Sequence, residues 1–169
     1  MPVNIARKKA AVQSAIGTIP ASVRLVPLDF ERDDLFGVLS EHGYRADART
    51  FFVWEGVTQY LTEDAVRTTL AAVQAAPAGS RLVFTYVRED FIDGRNMYDA
   101  EVLYKRFRRR RQVWKFGLHP DAVAAFVGPY DWQLVEQAGP DYYLQNYIQP
   151  AGRDLAASDL EWTACCAKR

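Results

Sequence analysis

The stretch Thr50-Phe51-Phe52-Val53-Trp54-Glu55-Gly56-Val57-Thr58-Gln59-Tyr60-Leu61 decides the fold class of this chain. Its first five residues form a continuous apolar run, which is typical of a strand buried on both faces of a parallel sheet. A carboxylate, Glu55, and a glycine, Gly56, follow directly. Ligands of open α/β sheets bind outside the carboxyl ends of the strands, so this position predicts a binding site at the rim of a sheet.

The segments on both sides of this stretch continue an alternation of helices and strands. Apolar spacing, capping residues and stop signals mark the helices, and β-branched apolar runs mark the strands. The predicted elements are a helix over Ile5–Ile16, a strand over Val23–Asp29, a short helix over Asp33–His42, a helix that opens at Thr62 and a strand over Arg81–Val87. Pro27 favours an edge position for the first of these strands. The order predicts an α/β fold with a mostly parallel sheet.

From Glu89 onward the alternation breaks. The segment Asn96–Val113 predicts a long helix, which carries the basic run Lys105–Arg111. A second helix is predicted to begin at His119-Pro120-Asp121, since proline is favoured at early helical positions. We therefore expect a helical insertion in this part of the chain.

The C-terminal part predicts strands again. Trp132–Glu136 is a short strand-like piece, and Asp141–Ile148 and Asp159–Ala167 are predicted as the two final strands. The connection through Pro150–Arg153 is short, which favours an antiparallel hairpin at the sheet edge.

Composition bounds the remaining expectations. The chain has 169 residues, 49% apolar and 25% charged, with a formal net charge of +0, which predicts one domain over residues 1–169 and no overall attraction to nucleic acid. Cys165 and Cys166 are adjacent and should point to opposite faces of a strand, so we expect no disulfide between them. We also expect no metal site, because the sequence shows no set of three or four ligands of suitable type and spacing. No apolar run is long enough for a membrane span and the N-terminus lacks a secretory pattern, so a cytoplasmic location without membrane contact is expected.

Three groups of residues are candidates for chemistry. Asp29 ends a predicted strand and could accept a hydrogen bond from a base, with Phe30 against its ring, or it could cap the following helix. Glu55 could meet a ligand ammonium group or an arginine of the chain. The basic run could hold phosphate or RNA, or be a solvated helix face. The sequence contains no nucleophile elbow and no phosphate-binding loop, so no catalytic residue is assigned.

The segment Phe52–Thr62 resembles the hallmark segment of bacterial S-adenosylmethionine-dependent methyltransferases related to leucine carboxyl methyltransferase. Weaker likenesses lie at Val26–Phe30, at Trp114–Leu118 and at Pro150–Arg153. This resemblance implies a Rossmann-like class I methyltransferase sheet with a helical lid at about residues 89–128. The implied activity is methyl transfer from S-adenosylmethionine to an oxygen, a carboxylate or a hydroxyl, of a small molecule.

The resemblance also implies roles for single residues. Asp29 and Phe30 would bind the adenine of the cofactor, and Glu55 would contact its methionine portion. Tyr60 would brace the loop. The family's first strands, with their glycine-rich turn and acidic residues, have no counterpart in this sequence. We therefore expect little or no activity from this chain alone, and cofactor binding at micromolar affinity would contradict that expectation.

Two other functions compete with this one. The first is a non-catalytic binding module that uses the basic run to hold RNA or another anionic partner, although nucleic acid is not the expected partner. The second is a product without a stable fold, since the Val23–Asp29 strand would expose an unpaired edge. A homodimer that exchanges strands would hide that edge.

Overall fold

A computed structural model describes residues 2–169 of the chain, and their side chains from Asn4 onward. Within this range the chain divides into two compact units. The first ends at Ala46, and the second runs from Asp47 to Arg169.

The first unit is helical. It contains α1 (Pro2–Ile16) and α2 (Leu35–Glu41). Gly17 ends α1 with a positive φ of 78°, as the sequence predicts. The side chain of Asp34 caps α2 by accepting a hydrogen bond from the Phe36 backbone N–H at 3.2 Å. Both helices confirm the sequence prediction to within two or three residues at each end.

The predicted strand over Val23–Asp29 is wrong. This segment contains no strand, and no described residue pairs with it in a β-ladder. An extended segment becomes a strand only when a neighbour takes up its backbone hydrogen bonds. The apolar spacing from Val23 to Leu28 carries no information about such a neighbour.

The second unit is built on a four-stranded sheet. Its strands are β1 (Phe51–Trp54), β2 (Arg81–Val87), β3 (Trp132–Ala138) and β4 (Glu161–Lys168), in the spatial order β1-β2-β4-β3. The β1–β2 pair is parallel, whereas β4 is antiparallel to both β2 and β3. The predicted α/β class and the antiparallel C-terminal strand are confirmed, but the sheet is mixed rather than mostly parallel, since one of its three strand pairs is parallel.

The helices of this unit alternate with the strands. The longest is α3 (Glu63–Val73), which is capped by Thr62, whose hydroxyl accepts a hydrogen bond from the Ala65 backbone N–H at 3.2 Å. The shorter helices are α4 (Glu89–Ile92), α5 (Glu101–Leu103), α6 (Val123–Val127) and α7 (Pro140–Tyr143). Wider π-type turns extend α5 over Tyr104–Arg110 and α7 over Leu144–Ile148. The long helix predicted over Asn96–Val113 is thus shorter and less regular than expected.

One of the two strands of the predicted final hairpin is wrong. Residues 141–148 are helical, and the strand that precedes β4 in the chain and pairs with it is β3. Tyrosines and isoleucine give this segment a high strand propensity. Strand propensity contributes little energy, and packing overrides it here. Gly139-Pro140-Asp141 starts the helix, with proline at its first position and an acid in its first turn.

One face of the sheet forms the core. Phe52 and Trp54 of β1 stand beside Leu82 and Phe84 of β2, and these pair in turn with Cys166 and Ala164 of β4. Four of these six side chains are at most 3% exposed. The inward residues of α3 and α6 are also buried, and the Arg67 guanidinium lies 4.4 Å from the centre of the Phe126 ring, which joins the two helices.

The second face of the sheet is less buried, which corrects the expectation that β1 is covered on both faces. Phe51 and Val53 are each 63% exposed. Thr85 of β2 and Thr163 of β4 share this face and are half-buried. The continuous apolar run at Thr50–Trp54 therefore does not mark a strand that is buried on both faces within this chain.

Candidate functional site

The loop after β1 is held against β2 by two hydrogen bonds to a single residue. The Gly56 backbone N–H donates to the Thr85 hydroxyl at 2.8 Å, and the Thr58 hydroxyl donates to the Thr85 carbonyl at 2.7 Å. Gly56 has a φ of 67°, a left-handed conformation that favours glycine. The glycine after Glu55 is therefore a local requirement of this turn.

The far end of the loop is anchored to the segment that follows α5. The Gln59 carbonyl accepts a hydrogen bond from the Lys115 backbone N–H at 2.6 Å. The Tyr60 ring meets the Trp114 ring edge to face, with 6.3 Å between their centres. Tyr60 is 41% exposed and packs on a buried tryptophan, which agrees with a bracing role for its ring.

Glu55 lines a crevice of about 400 Å³ at the carboxyl ends of β1 and β2. Thr85 forms its floor, and the N-terminal end of β4 and the helical segment after β3 form its other walls. The remaining lining residues are Tyr143, Tyr147, Ile148, Ala157, Ser158, Glu161 and Thr163. The sequence prediction that Glu55 lies at a rim of the sheet, next to a ligand-sized space, agrees with this placement.

The carboxylate of Glu55 is exposed and has no ion pair within the second unit. The alternative in which an arginine of the chain satisfies it is therefore not realised among the described residues from Asp47 to Arg169. A carboxylate that stands free at a crevice can accept a positively charged ligand group.

Asp29 and Phe30 lie in the first unit, where both are half-buried. One carboxylate oxygen of Asp29 accepts a hydrogen bond from the Glu31 backbone N–H at 3.1 Å, and the other is 4.0 Å from the Arg32 Nε. Asp29 thus caps the turn that follows it, whereas Asp34 caps α2. Each carboxylate oxygen keeps a lone pair for a further donor. The convergence of Asp29 and Glu55 on one crevice stays a prediction.

Comparisons with known proteins agree with the resemblance seen in the sequence. Residues 1–74 match the leucine carboxyl methyltransferase family, a range that contains Asp29, Phe30 and Glu55. The chain is 30% identical over 156 residues to a Mycolicibacterium gilvum protein named "Putative S-adenosyl-L-methionine-dependent methyltransferase". It is also 31% identical over 83 residues to Bacillus subtilis YktD, which carries the same name.

Residues 1–74 are similar to the leucine carboxyl methyltransferase family.

The match to the Mycolicibacterium protein covers 88% of this chain and 50% of that protein. The match to YktD covers 48% of this chain and 27% of YktD. The chain therefore spans half or less of the curated relatives it matches. Among solved structures it is similar to "a possible exported protein" from Bordetella parapertussis, at 14% identity and a TM-score of 0.49, over 73% of this chain and 41% of that one. At that level the similarity does not establish a shared fold.

A second polar cluster stands at the carboxyl end of β2, in the segment that the family resemblance implies as a lid. The Arg88 guanidinium binds both carboxylate oxygens of Asp90, at 3.2 and 3.1 Å, and the Tyr98 hydroxyl donates to Asp90 as well. Arg88 also lies over the Tyr98 ring at 4.9 Å. The cluster joins β2 to the loop before α5, where Tyr98 has a positive φ of 48°.

This cluster shifts the pKa of its members. Partial burial works to raise the pKa of Asp90, but hydrogen bonds from Arg88 and Tyr98 outweigh it and lower that pKa below its ordinary value. The hydrogen bond with Asp90 raises the pKa of Arg88. A carboxyl group whose pKa is lower in the folded state than in the unfolded state stabilises the fold. This stabilisation is present above the unfolded-state pKa of about 4, and it is lost as the pH falls through the folded-state pKa.

We expect Asp90→Asn to destabilise the chain in a pH-dependent way. At pH 7 it should lower the free energy of unfolding by about 1–3 kcal/mol, because it removes hydrogen bonds to a charged group. The difference from the native chain should shrink as the pH falls below the unfolded-state pKa of about 4 and through the lower folded-state pKa of Asp90. Chemical denaturation at pH 7 and pH 3 checks this, with Asp93→Asn at an exposed pair as the control. An equal loss at both pH values would contradict it.

The same segment has its own small core. Val87, Phe91, Ile92, Trp114 and Leu160 are buried together. Tyr104 and Phe107 of the helical stretch pack against them, and the Phe107 ring stacks on Trp114 with 5.0 Å between centres. Residues from Glu89 to Trp114 are therefore packed on the end of the sheet.

The basic run is largely a solvent-facing surface. Lys105, Arg106 and Arg109–Arg111 are exposed, whereas Arg108 is half-buried and donates to the Ile92 carbonyl at 3.0 Å. The Arg106 guanidinium lies 5.1 Å from the Phe107 ring. These contacts fit a helix face that is anchored by Phe107 and Arg108.

Sequence reasoning missed most of the crevice. The residues it missed are Thr85, Tyr143, Tyr147, Ser158, Glu161 and Thr163. The two tyrosines were missed because residues 141–148 were predicted as a strand. The helix-start signal at Gly139-Pro140-Asp141 could have corrected that prediction and would have placed the tyrosines at one-turn spacing.

The remaining candidates for chemistry are inert or absent in the described part of the chain. Cys165 and Cys166 are free thiols on opposite faces of β4, as predicted. Burial, with a smaller effect of Cys165, raises the pKa of Cys166 to about 12, so its thiol is not a nucleophile at neutral pH. Among residues 2–169 no group of three or more ligand-type side chains could hold a metal ion, and no helix is long and apolar enough to cross a membrane.

Proposed function

We propose that this chain takes part in methyl transfer from S-adenosylmethionine to an oxygen of a small molecule. The observation that carries the proposal is the position of Glu55. It stands free of arginine and lysine partners within the second unit, at a crevice on the carboxyl ends of parallel strands. Relatives that share this segment are named as S-adenosylmethionine-dependent methyltransferases.

The three residues of the proposed cofactor site have complementary chemistry. Glu55 would hold the ammonium group of the methionine portion, since its carboxylate is uncompensated. Asp29 would accept a hydrogen bond from the adenine amine with the lone pairs that its own turn leaves free, and Phe30 would lie against the base. Such a site requires the two units to bring Asp29 and Glu55 to one crevice.

When bound, the cofactor supplies an activated methyl group. The residues of this chain would act by position, since orientation of the two reactants provides much of the acceleration in such a transfer. Residues 89–128 would exclude water from the acceptor as a lid, a role that the packed cluster around Trp114 supports. A Rossmann-like character of the sheet belongs to the same proposal.

The test is a titration of the full chain with S-adenosylmethionine, monitored by NMR. We expect binding in the millimolar range, because only part of the cofactor site is proposed here. Glu55→Gln should weaken the binding of S-adenosylmethionine roughly two- to fivefold, because the loss of an exposed charge pair costs ~0.4–1 kcal/mol. Glu101→Gln, at an exposed position outside the crevice, is the matched control. No binding at 10 mM, or equal loss in both variants, would overturn the proposal.

A further inference from the structure

The crevice beside Glu55 carries two negative charges and no positive one. Glu55 forms one wall and Glu161, the first residue of β4, forms another, and both side chains belong to exposed residues. Neither has an arginine or lysine partner within the second unit. In the proposed site Glu55 holds the ammonium group of the cofactor, so Glu161 is the carboxylate that is left to the acceptor. Glu161 would repel a carboxylate on the acceptor and attract a positively charged group.

The third wall is aromatic. Tyr143 and Tyr147 line the crevice, and their ring centres lie 6.2 Å apart. Tyr142 extends the same cluster, at 5.8 Å from Tyr143 and 6.2 Å from Tyr147. Tyrosine rings offer a flat apolar surface for another ring and a negative face for a cation.

A pair of hydroxyls provides a specific hydrogen-bonding point in this wall. The Tyr143 hydroxyl and the Thr163 Oγ1 are 2.7 Å apart, and both residues line the crevice. In such a pair one hydroxyl donates to the other, so one hydrogen atom and several lone pairs remain for a ligand. An incoming hydroxyl can therefore both donate and accept at this point.

We propose that this crevice binds the methyl acceptor, and that the acceptor is a hydroxylated aromatic molecule with a positive charge, not a carboxylate. The proposal rests on the proposed methyltransferase function and names its substrate class. In the transfer the acceptor oxygen forms a bond to the methyl carbon while the sulfur–methyl bond breaks and its electron pair stays on sulfur. The acceptor hydroxyl proton leaves to a crevice carboxylate or to water.

Three small probes of similar size separate charge from hydrogen bonding. Tyramine carries a phenol and an ammonium group, phenethylamine lacks the phenol hydroxyl, and 4-hydroxyphenylacetate replaces the ammonium group by a carboxylate. Titrations of the full chain at low salt, followed by NMR, give the three affinities. We expect tyramine to bind about three- to tenfold more tightly than either of the others, and 150 mM salt should reduce its advantage over the carboxylate.

Two variants assign these preferences to residues. Glu161→Gln should reduce the preference for tyramine over 4-hydroxyphenylacetate about two- to fivefold, whereas Glu101→Gln should leave it unchanged. Tyr143→Phe should remove the preference for tyramine over phenethylamine and leave the charge preference intact. The spectrum of each variant shows whether it is folded.

The outcomes distinguish this inference from the proposed function. Charge-selective tyramine binding without any S-adenosylmethionine binding would support the crevice as a site for cationic phenols and overturn the methyltransferase proposal. S-adenosylmethionine binding with equal affinities for the three probes would overturn the acceptor class alone. A preference for tyramine over 4-hydroxyphenylacetate that Glu161→Gln leaves unchanged would also overturn the inference.

Discussion

Trp132→Ala is expected to lower the free energy of unfolding by about 3–5 kcal/mol, the range for removing a large buried aromatic side chain. Trp132 begins β3 and is 1% exposed. Its ring meets Phe52 of β1 edge to face, with 6.3 Å between centres, and Lys168 Nζ lies 5.8 Å from it. The substitution would therefore open a cavity that touches three of the four strands.

Phe51→Ala is the matched control for this prediction. Phe51 also lies on the sheet, but it is 63% exposed on the second face. We expect its loss to cost less than ~1 kcal/mol, because little apolar surface is removed from water there. Urea denaturation of both variants measures the difference. Equal costs for the two variants would show that the second face of β1 is covered in solution.

Gly117→Ala is expected to be the second most damaging change, at about 1–3 kcal/mol from overpacking. A Cβ at this position would lie 2.7 Å from the Glu89 Cα and 2.9 Å from its backbone nitrogen. Backbone atoms cannot rotate away as the end of a side chain can. The contact joins the segment before α6 to the start of α4, where Leu118 is paired with Arg88 by a β-bridge.

Gly128→Ala provides the comparison. Gly128 has helical φ and ψ of −53° and −43°, and a Cβ there would meet no heavy atom within 4 Å. An alanine should be neutral or stabilise the chain by about 0.4–1 kcal/mol, since it restricts the unfolded chain. Thermal unfolding of both variants checks the pair. A Gly117→Ala chain as stable as Gly128→Ala would mean that the two segments are not in close contact.

The candidate site shows which features a local pattern can predict. Glu55 and Gly56 follow an apolar run, and this order alone placed a carboxylate at the carboxyl end of a strand. The capping by Thr62 depends on neighbouring residues only, so it was predicted correctly. The tyrosine wall of the crevice was not predicted, because it depends on how residues 140–148 pack on Thr163 of a later strand.

The two wrong strands fail for a related reason. Val23–Asp29 and Asp141–Ile148 both contain residues with high strand propensity, yet neither has a neighbouring strand among the described residues. The helix in the second segment was decided by Gly139-Pro140 and by the Tyr143 contact with Thr163. Strand propensity describes how a side chain fits a sheet, and it cannot supply the partner that makes the sheet.

The amino-acid sequence by itself determined the ends of α1 and α2, the start of α3, the limits of β2 and the carboxylate that follows β1, because each depends on residues close together in the chain. Tertiary structure alone decided that β3 pairs with β4, that one face of β1 is exposed and that Glu55 shares a crevice with Glu161 and two tyrosines. These features join residues far apart in the chain. Their energies come from packing and from backbone hydrogen bonds between segments, which no local pattern encodes.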